Sequence, residues 1–109
     1  MEPIVLTEKN FDHEVLMSDR PVLVDFWASW CSPCLRFAPT IEEIAREQEQ
    51  VKVGKVNVDE ESGLARRYRV MSIPTLLFVQ NGELVRQEVG GKSKGEVLEM
   101  IGLRKQTVG

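Results

Sequence analysis

The chain has 109 residues, with 14 lysines and arginines against 17 aspartates and glutamates, and a formal net charge of −3 at pH 7. This length is typical of one domain, so we expect residues 1–109 to form a single one. The acidic balance argues against a nucleic-acid-binding surface, which needs clustered lysines and arginines. No apolar run approaches the length of about 18 residues that a membrane span needs. The first residues lack the basic start of a secretory signal, and we therefore expect a reducing, cytoplasmic location.

Four elements are predicted in the first half of the chain. Residues 4–6 are interpreted as a short strand, and residues 8–18 as a short helix with one apolar side. Residues 22–27 are nearly all apolar β-formers, which is typical of a strand covered on both faces. The longest helix is expected from residue 31 or 32 to about residue 49, because its apolar residues share one side and its charged residues the other.

Three strands and a short helix are predicted next, and two of the strands form a hairpin. Residues 51–58 are interpreted as a strand and residues 62–68 as the helix. Asn81-Gly82 then joins the apolar runs 75–79 and 84–89. This dipeptide predicts a tight hairpin, because both central residues of a type I′ turn need a positive φ.

A last helix is predicted to begin at Ser93 and to end near Gly102. Its start, Ser93-Lys94-Gly95-Glu96, has the pattern of a capping box. Strands that alternate with helices predict a parallel sheet between two layers of helices, and the hairpin makes that sheet mixed. The predicted fold class is therefore α/β, with a central mixed five-stranded sheet flanked by four helices.

Both cysteines lie in one tetrapeptide, Cys31-Ser32-Pro33-Cys34. A bond between them closes so short a loop that it removes only about 2 kcal/mol of denatured-state entropy. The spacing thus favours a disulfide that is easily made and broken. Three other interpretations stay open on the residues alone: half of a zinc site, a metal shared by two chains, and two buried thiols without chemistry. A zinc site within the chain would lack ligands, since His13 is its one histidine.

The predicted position of the pair favours a catalytic dithiol. Two residues three apart at a helix start are close enough for a disulfide. The free N–H groups and the positive end of the helix dipole face Cys31 and favour its thiolate form. We assign Cys31 as the attacking nucleophile and Cys34, one turn further in and less exposed, as the residue that resolves the mixed disulfide. Pro33 suits the first helical turn because it has no N–H and a fixed φ.

The residues around the pair resemble the thioredoxin family. The active-site segment of that family is similar to Val24-Asp25-Phe26-Trp27-Ala28-Ser29-Trp30-Cys31-Ser32-Pro33-Cys34. Its third-strand, cis-proline, hairpin and glycine motifs are similar, in the same order, to Lys55-Val56-Asn57-Val58-Asp59, Ile73-Pro74-Thr75, Phe78-Val79-Gln80-Asn81-Gly82 and Val89-Gly90-Gly91. The resemblance spans almost the whole chain and implies the thioredoxin fold and protein-disulfide reductase activity.

The resemblance also implies the partners of the reaction. The cysteine pair is itself the redox centre, so neither a bound cofactor nor a metal is expected. A thioredoxin reductase would regenerate the dithiol, and the clients would be proteins that contain disulfides. A monomer is implied, with no nucleic-acid or membrane partner. An oxidase or isomerase of the same fold and a non-catalytic binding subunit remain alternatives, and Ser32, where the family usually has glycine, leaves the redox potential open.

Two charged residues have a structural and a catalytic interpretation. Asp25 interrupts an apolar strand, where a charge is costly unless it is paired or neutralised. It is either turned to solvent at the strand end or buried behind the dithiol, where desolvation raises its pKa. The resemblance implies the second, with Asp25 accepting and returning the proton of Cys34. Lys55, in the neighbouring strand, is either a surface lysine or, as the resemblance implies, a partner of Asp25.

The resemblance further implies a surface that binds clients. A cis peptide bond before Pro74 would present the backbone of Ile73 to an extended client segment. Trp27 is expected to pack against the dithiol, although a core role is the simpler interpretation of each tryptophan. The residues expected to contact clients are Trp30, Ser32, Pro33, Ile73, Pro74, Gly90 and Gly91.

Overall fold

Strands and helices alternate along the chain in the predicted order. The computed structural model describes residues 1–103. No helix in this part of the chain is long and apolar enough to cross a membrane. The elements are β1 (Ile4–Val5), the π-helical turn (Asp12–Leu16), β2 (Val22–Trp27), α1 (Ser32–Glu47), β3 (Lys52–Asn57), α2 (Ser62–Arg67), β4 (Thr75–Gln80), β5 (Glu83–Val89) and α3 (Lys94–Met100).

The five strands form one mixed sheet in the order β1-β3-β2-β4-β5. β3 pairs in parallel with β1 and β2, whereas β4 runs antiparallel to both β2 and β5. The central strand is β2, and its residues from Val22 to Phe26 are all buried. The α/β class and the mixed sheet predicted from the sequence are confirmed.

Each face of the sheet packs against its own set of helices. Side chains alternate between the faces along a strand, so Leu23 and Val24 of β2 point in opposite directions. Leu23 packs with the apolar residues of α1 and α3, whereas Val24 packs with those of the π-helical turn and α2. The same alternation places Asp25 and Trp27 on the face that α1 and α3 cover.

Two local predictions are confirmed in detail. Asn81 and Gly82 have φ values of 52° and 79°, as a type I′ turn between β4 and β5 requires. At the start of α3, the Ser93 hydroxyl accepts the N–H of Glu96 at 3.2 Å, and the Glu96 carboxylate accepts the N–H of Ser93 at 2.8 Å. This reciprocal pair is the predicted capping box.

The helix predicted at 8–18 is wrong in extent and type, because only Asp12–Leu16 is helical and its turns are π-helical. Thr7 and Asn10 hold the preceding turn. The Asn10 carboxamide oxygen accepts the N–H of Thr7 at 2.7 Å, and the Thr7 hydroxyl accepts the N–H of Asn10 at 3.2 Å. Such side chains compete with a helix for backbone groups. Phe11 and Val15, on the predicted apolar side of this segment, are nonetheless buried.

Other boundaries differ by a few residues. The long helix ends at Glu47 rather than near residue 49, and strand 51–58 is shortened to Lys52–Asn57. Such shifts are common at element ends, where hydrogen bonding fades gradually.

Candidate active site

The two cysteines lie at the N-terminus of α1 and are joined in a disulfide, with their Cα atoms 5.2 Å apart. Cys31 is the N-cap residue, and its Sγ accepts the backbone N–H of Cys34 at 3.2 Å. A serine or aspartate oxygen commonly takes this place, where the first N–H groups of a helix have no partner within it. After reduction, the same N–H and the helix dipole stabilise negative charge on the Cys31 sulfur.

Both cysteines are almost enclosed by the protein. Cys31 is 4% exposed and Cys34 is 2% exposed, so the inner residue is only slightly the less accessible one. The Cys31 Sγ lies 3.8 Å from the carbonyl oxygen of Ile73. Ala28, Cys31 and Cys34 form a small buried cluster, the dithiol cluster, and Trp27 and Val58 pack against it. A client sulfur therefore reaches Cys31 only if the client also contacts the surface around it.

Asp25 is a buried carboxyl, only 1% exposed. Burial raises its pKa from 3.8 to about 7, and the positive charge of Lys55 partly opposes that rise. Its Oδ1 has no hydrogen-bond partner among the residues that the structure describes. A carboxyl in this state exchanges a proton near neutral pH.

Lys55 lies opposite Asp25 in the register of β2 and β3, and it is half-buried. Its ammonium nitrogen is 4.5 Å from the centroid of the Trp27 ring. A cation over an aromatic face at this distance is stabilised by roughly 0.5 to 2 kcal/mol. Trp27 thus contacts the dithiol cluster and also holds the Lys55 ammonium on the side of the sheet where Asp25 lies.

Trp30, the residue before Cys31, is exposed, at 67%. Its indole Nε1 donates a hydrogen bond to the Asp59 carboxylate at 2.8 Å. Asp59 lies in the turn after β3, where its own N–H donates to the Asn57 side chain at 2.9 Å. The turn therefore fixes the carboxylate that orients the indole ring.

The peptide bond between Ile73 and Pro74 is cis, with Pro74 buried and Ile73 half-buried. Gly90 has a φ of 102°, and its N–H donates to the Pro74 carbonyl at 2.8 Å. Glycine is required at position 90 by this backbone conformation. At Gly91, an added Cβ would meet Phe37 at 3.8 Å, which is an ordinary contact.

The comparisons with known proteins agree with this geometry. The sequence model of the thioredoxin family matches residues 2–102. The chain belongs to the thioredoxin family.

Named relatives are similar over most of this chain. A thioredoxin of Rickettsia bellii (strain RML369-C) is 48% identical over 97 residues, covering 88% of this chain and 92% of that protein. A thioredoxin of Streptomyces clavuligerus is 46% identical over 93 residues, covering 85% and 87%. A bifunctional thioredoxin reductase/thioredoxin of Mycobacterium leprae (strain TN) is 48% identical over 96 residues, which are 87% of this chain and 21% of that protein.

The resemblance found in the sequence is confirmed. As a thioredoxin-family protein with a Cys31–Cys34 disulfide, the chain is a protein-disulfide reductase that works by dithiol–disulfide exchange. Within residues 1–103, no three His, Cys, Asp or Glu side chains form a group that would hold a metal ion.

Sequence reasoning assigned no role to Asp59 or to Met71. Asp59 holds Trp30, and its sequence signals are its place at the end of the third-strand motif and the Asn two positions earlier, a common start of a side-chain-capped turn. Met71 is 92% exposed, two residues before Ile73. Its signal is a large apolar residue between α2 and β4, outside the periodic pattern of either element.

Proposed function

We propose that Cys31 and Cys34 reduce client disulfides in two exchange steps. The Cys31 thiolate attacks one client sulfur, so that a mixed disulfide forms and the other client sulfur leaves as a thiolate. Cys34 then attacks the Cys31 Sγ, which releases the second client thiol and forms the Cys31–Cys34 disulfide. The client gains two electrons and the protein loses two. The observation that carries this assignment is the Cys31 sulfur at the N-cap of α1, hydrogen-bonded by the Cys34 N–H.

Asp25 is proposed as the base for the second step, because Cys34 attacks as a thiolate and must first lose its proton. Burial that raises the pKa of Asp25 to about 7 matches the proton affinity needed near neutral pH. Below that pH the carboxyl is protonated and cannot accept a proton. The release of the client should therefore accelerate as the pH rises through about 7. Lys55 acts on the same step, since its positive charge favours the ionised form of Asp25.

The client contacts are proposed to surround the dithiol. A nearly buried Cys31 requires the client to touch its surroundings, and the exposed Trp30 lies beside it. An extended client segment would pair with the backbone at Ile73. The other residues proposed to line this surface are Ser32, Pro33, Pro74, Gly90 and Gly91.

A thioredoxin reductase is proposed to return the protein to its dithiol form. Support comes from the Mycobacterium leprae relative, whose name couples a thioredoxin reductase to a thioredoxin. We place the reaction in the cytoplasm, because a disulfide reductase needs a compartment that keeps its own dithiol reduced. The protein is proposed to act as a monomer without a bound cofactor, since both electrons reside in the cysteine pair.

Trapping of the mixed disulfide tests this mechanism. A Cys34→Ser variant, reduced and mixed with oxidised insulin, should accumulate a covalent adduct through Cys31 that dithiothreitol releases. The matched Cys31→Ser variant should form none. If the Cys34→Ser variant forms no adduct, or if both variants form it equally, the assignment of the nucleophile is wrong.

A further inference from the structure

Met71 has the most exposed large apolar side chain within residues 1–103, at 92%. Its thioether gains almost nothing from burial in the fold. Such flexible, polarisable side chains are often used at surfaces that accept varied partners. The position of Met71 in the chain indicates that it belongs to the surface around Cys31.

The loop that carries Met71 is anchored on both sides. Before it, Val70 is partly buried against the core, and its N–H donates to the Ala65 carbonyl at 2.8 Å. After it, the Ser72 carbonyl accepts a hydrogen bond from the Thr75 hydroxyl. Met71 is therefore held outward by a fixed backbone.

Met71 is also close in the chain to a residue that lies against the Cys31 sulfur. It is two residues from Ile73, whose carbonyl oxygen is 3.8 Å from the Cys31 Sγ. Two peptide steps place the Cα atoms of Met71 and Ile73 within about 8 Å of each other. Because Cys31 is only 4% exposed, a client that reaches its sulfur covers the surrounding surface. Because Met71 is two residues from Ile73, we expect it to lie within that footprint.

We propose that Met71 is an oxidation site at which hydrogen peroxide weakens the docking of clients. One peroxide oxygen is transferred to the Met71 sulfur, so that an S–O bond forms and the O–O bond breaks. The thioether is oxidised by two electrons to the sulfoxide, and the peroxide is reduced to water. The product replaces a flexible apolar side chain with a polar one. The effect on activity rests on the proposed client surface.

Two of the other methionines serve as comparisons for Met71. Met100 is 7% exposed and lies in the core. Met17 is 73% exposed, but it follows Leu16, whose carbonyl lies next to Gly82 in the hairpin turn. β4 runs antiparallel to β2, so that turn is at the end of the sheet opposite the dithiol. Met17 is therefore an exposed methionine far from the client surface.

The test treats the disulfide form of the full chain with hydrogen peroxide, because the paired cysteines then offer no thiolate to the oxidant. Peptide mass spectrometry locates the sulfoxides. The dithiol is next restored with dithiothreitol, and single-turnover rates are measured with insulin and with oxidised glutathione. We expect sulfoxide at Met71 and a loss of about fivefold in the insulin rate, with the glutathione rate changed less than about twofold.

Variants assign the effect to one residue. Treated Met17→Leu should lose insulin activity as the unaltered chain does, whereas treated Met71→Leu should keep its own untreated rate. The proposal is overturned if Met71 sulfoxide forms without slowing insulin reduction, or if peroxide slows Met71→Leu equally. It is also overturned if Met71 stays unoxidised while Met17 reacts. Failure of the proposed function would instead appear in the untreated chain, as an absence of insulin reduction.

Discussion

The two faces of the central sheet differ in chemistry although one strand, β2, supplies both. The face beneath the π-helical turn and α2 is apolar, with Val22, Val24 and Phe26 fully buried. The opposite face begins in the same way at Leu23, but it continues with Asp25 and ends near the dithiol. A strand that alternates its side chains can thus serve stability on one side and reactivity on the other.

The two faces differ in how much they contribute to the stability of the fold. The apolar face buries side chains that each contribute roughly 1.5 to 3 kcal/mol. On the other face, Asp25 is buried and one of its oxygens has no partner within residues 1–103, which is unfavourable whenever the carboxyl is ionised. The reactive face therefore keeps a polar group that an apolar side chain would replace without loss of stability.

The largest loss of activity is expected from substitution of Cys31, the proposed nucleophile. Cys31→Ser is expected to lower the rate of insulin reduction at least about 1000-fold, because a hydroxyl does not replace a thiolate in disulfide exchange. A loss of less than about tenfold would show that another sulfur can initiate the reaction.

Asp25→Asn should separate activity from stability. The folded-state pKa of about 7 lies above the ordinary 3.8, so the folded protein retains a proton that the unfolded chain releases between these pH values. Stability therefore falls as pH rises from about 4 to about 7 and is level above that. The variant should be more stable by about 2 to 4 kcal/mol at pH 8 and little changed at pH 4. Its client-release step should be slower by at least about tenfold at pH 8.

Denaturant unfolding at both pH values and stopped-flow release of the client measure these effects. Val24→Ala, on the opposite face of the same strand, is the matched control. It should lose about 2 kcal/mol at either pH and keep the pH dependence of the reaction. An Asp25→Asn variant with unaltered release between pH 6 and pH 9 would exclude Asp25 as the base.

Lys55→Met should change the pH dependence of client release on the reactive face. The ammonium that partly offsets the raised pKa of Asp25 is removed, so that pKa should rise further. The midpoint of the pH–rate profile for client release should then move upward by about one unit. Measurement of release from pH 6 to pH 10 checks this. A midpoint that stays in place or moves down would mean that Lys55 does not act on Asp25.

The smallest effect is expected at the exposed edge of the reactive face. Asp59→Ala removes the acceptor of the Trp30 indole N–H, so the insulin rate should fall about two- to fivefold. Asp59→Asn keeps an acceptor oxygen and should retain more of the rate. Single-turnover reduction of insulin and of oxidised glutathione distinguishes docking from chemistry. Equal losses with both substrates would contradict a role in docking.

The features that could be predicted depend on residues that are close together in the sequence. The hairpin at Asn81-Gly82 depends on the φ angles of those two residues, and the capping box on groups three residues apart. The cysteine pair likewise lies within one helical turn. Its position after a buried strand was therefore sufficient to predict the nucleophile's environment at the start of α1.

The order of strands and helices, the dithiol at a helix start and the family were all predicted from short-range patterns and motifs in the chain. The remaining contacts of the site join residues that are distant in the chain and meet only after folding. Trp30 and Asp59 are 29 positions apart, and Lys55 and Trp27 come from different strands. The near burial of Cys31 and the exposure of Met71 likewise follow from how distant elements pack. Periodicity reports which face a side chain takes, but contacts between elements depend on register and loop path, which arise only when the chain folds.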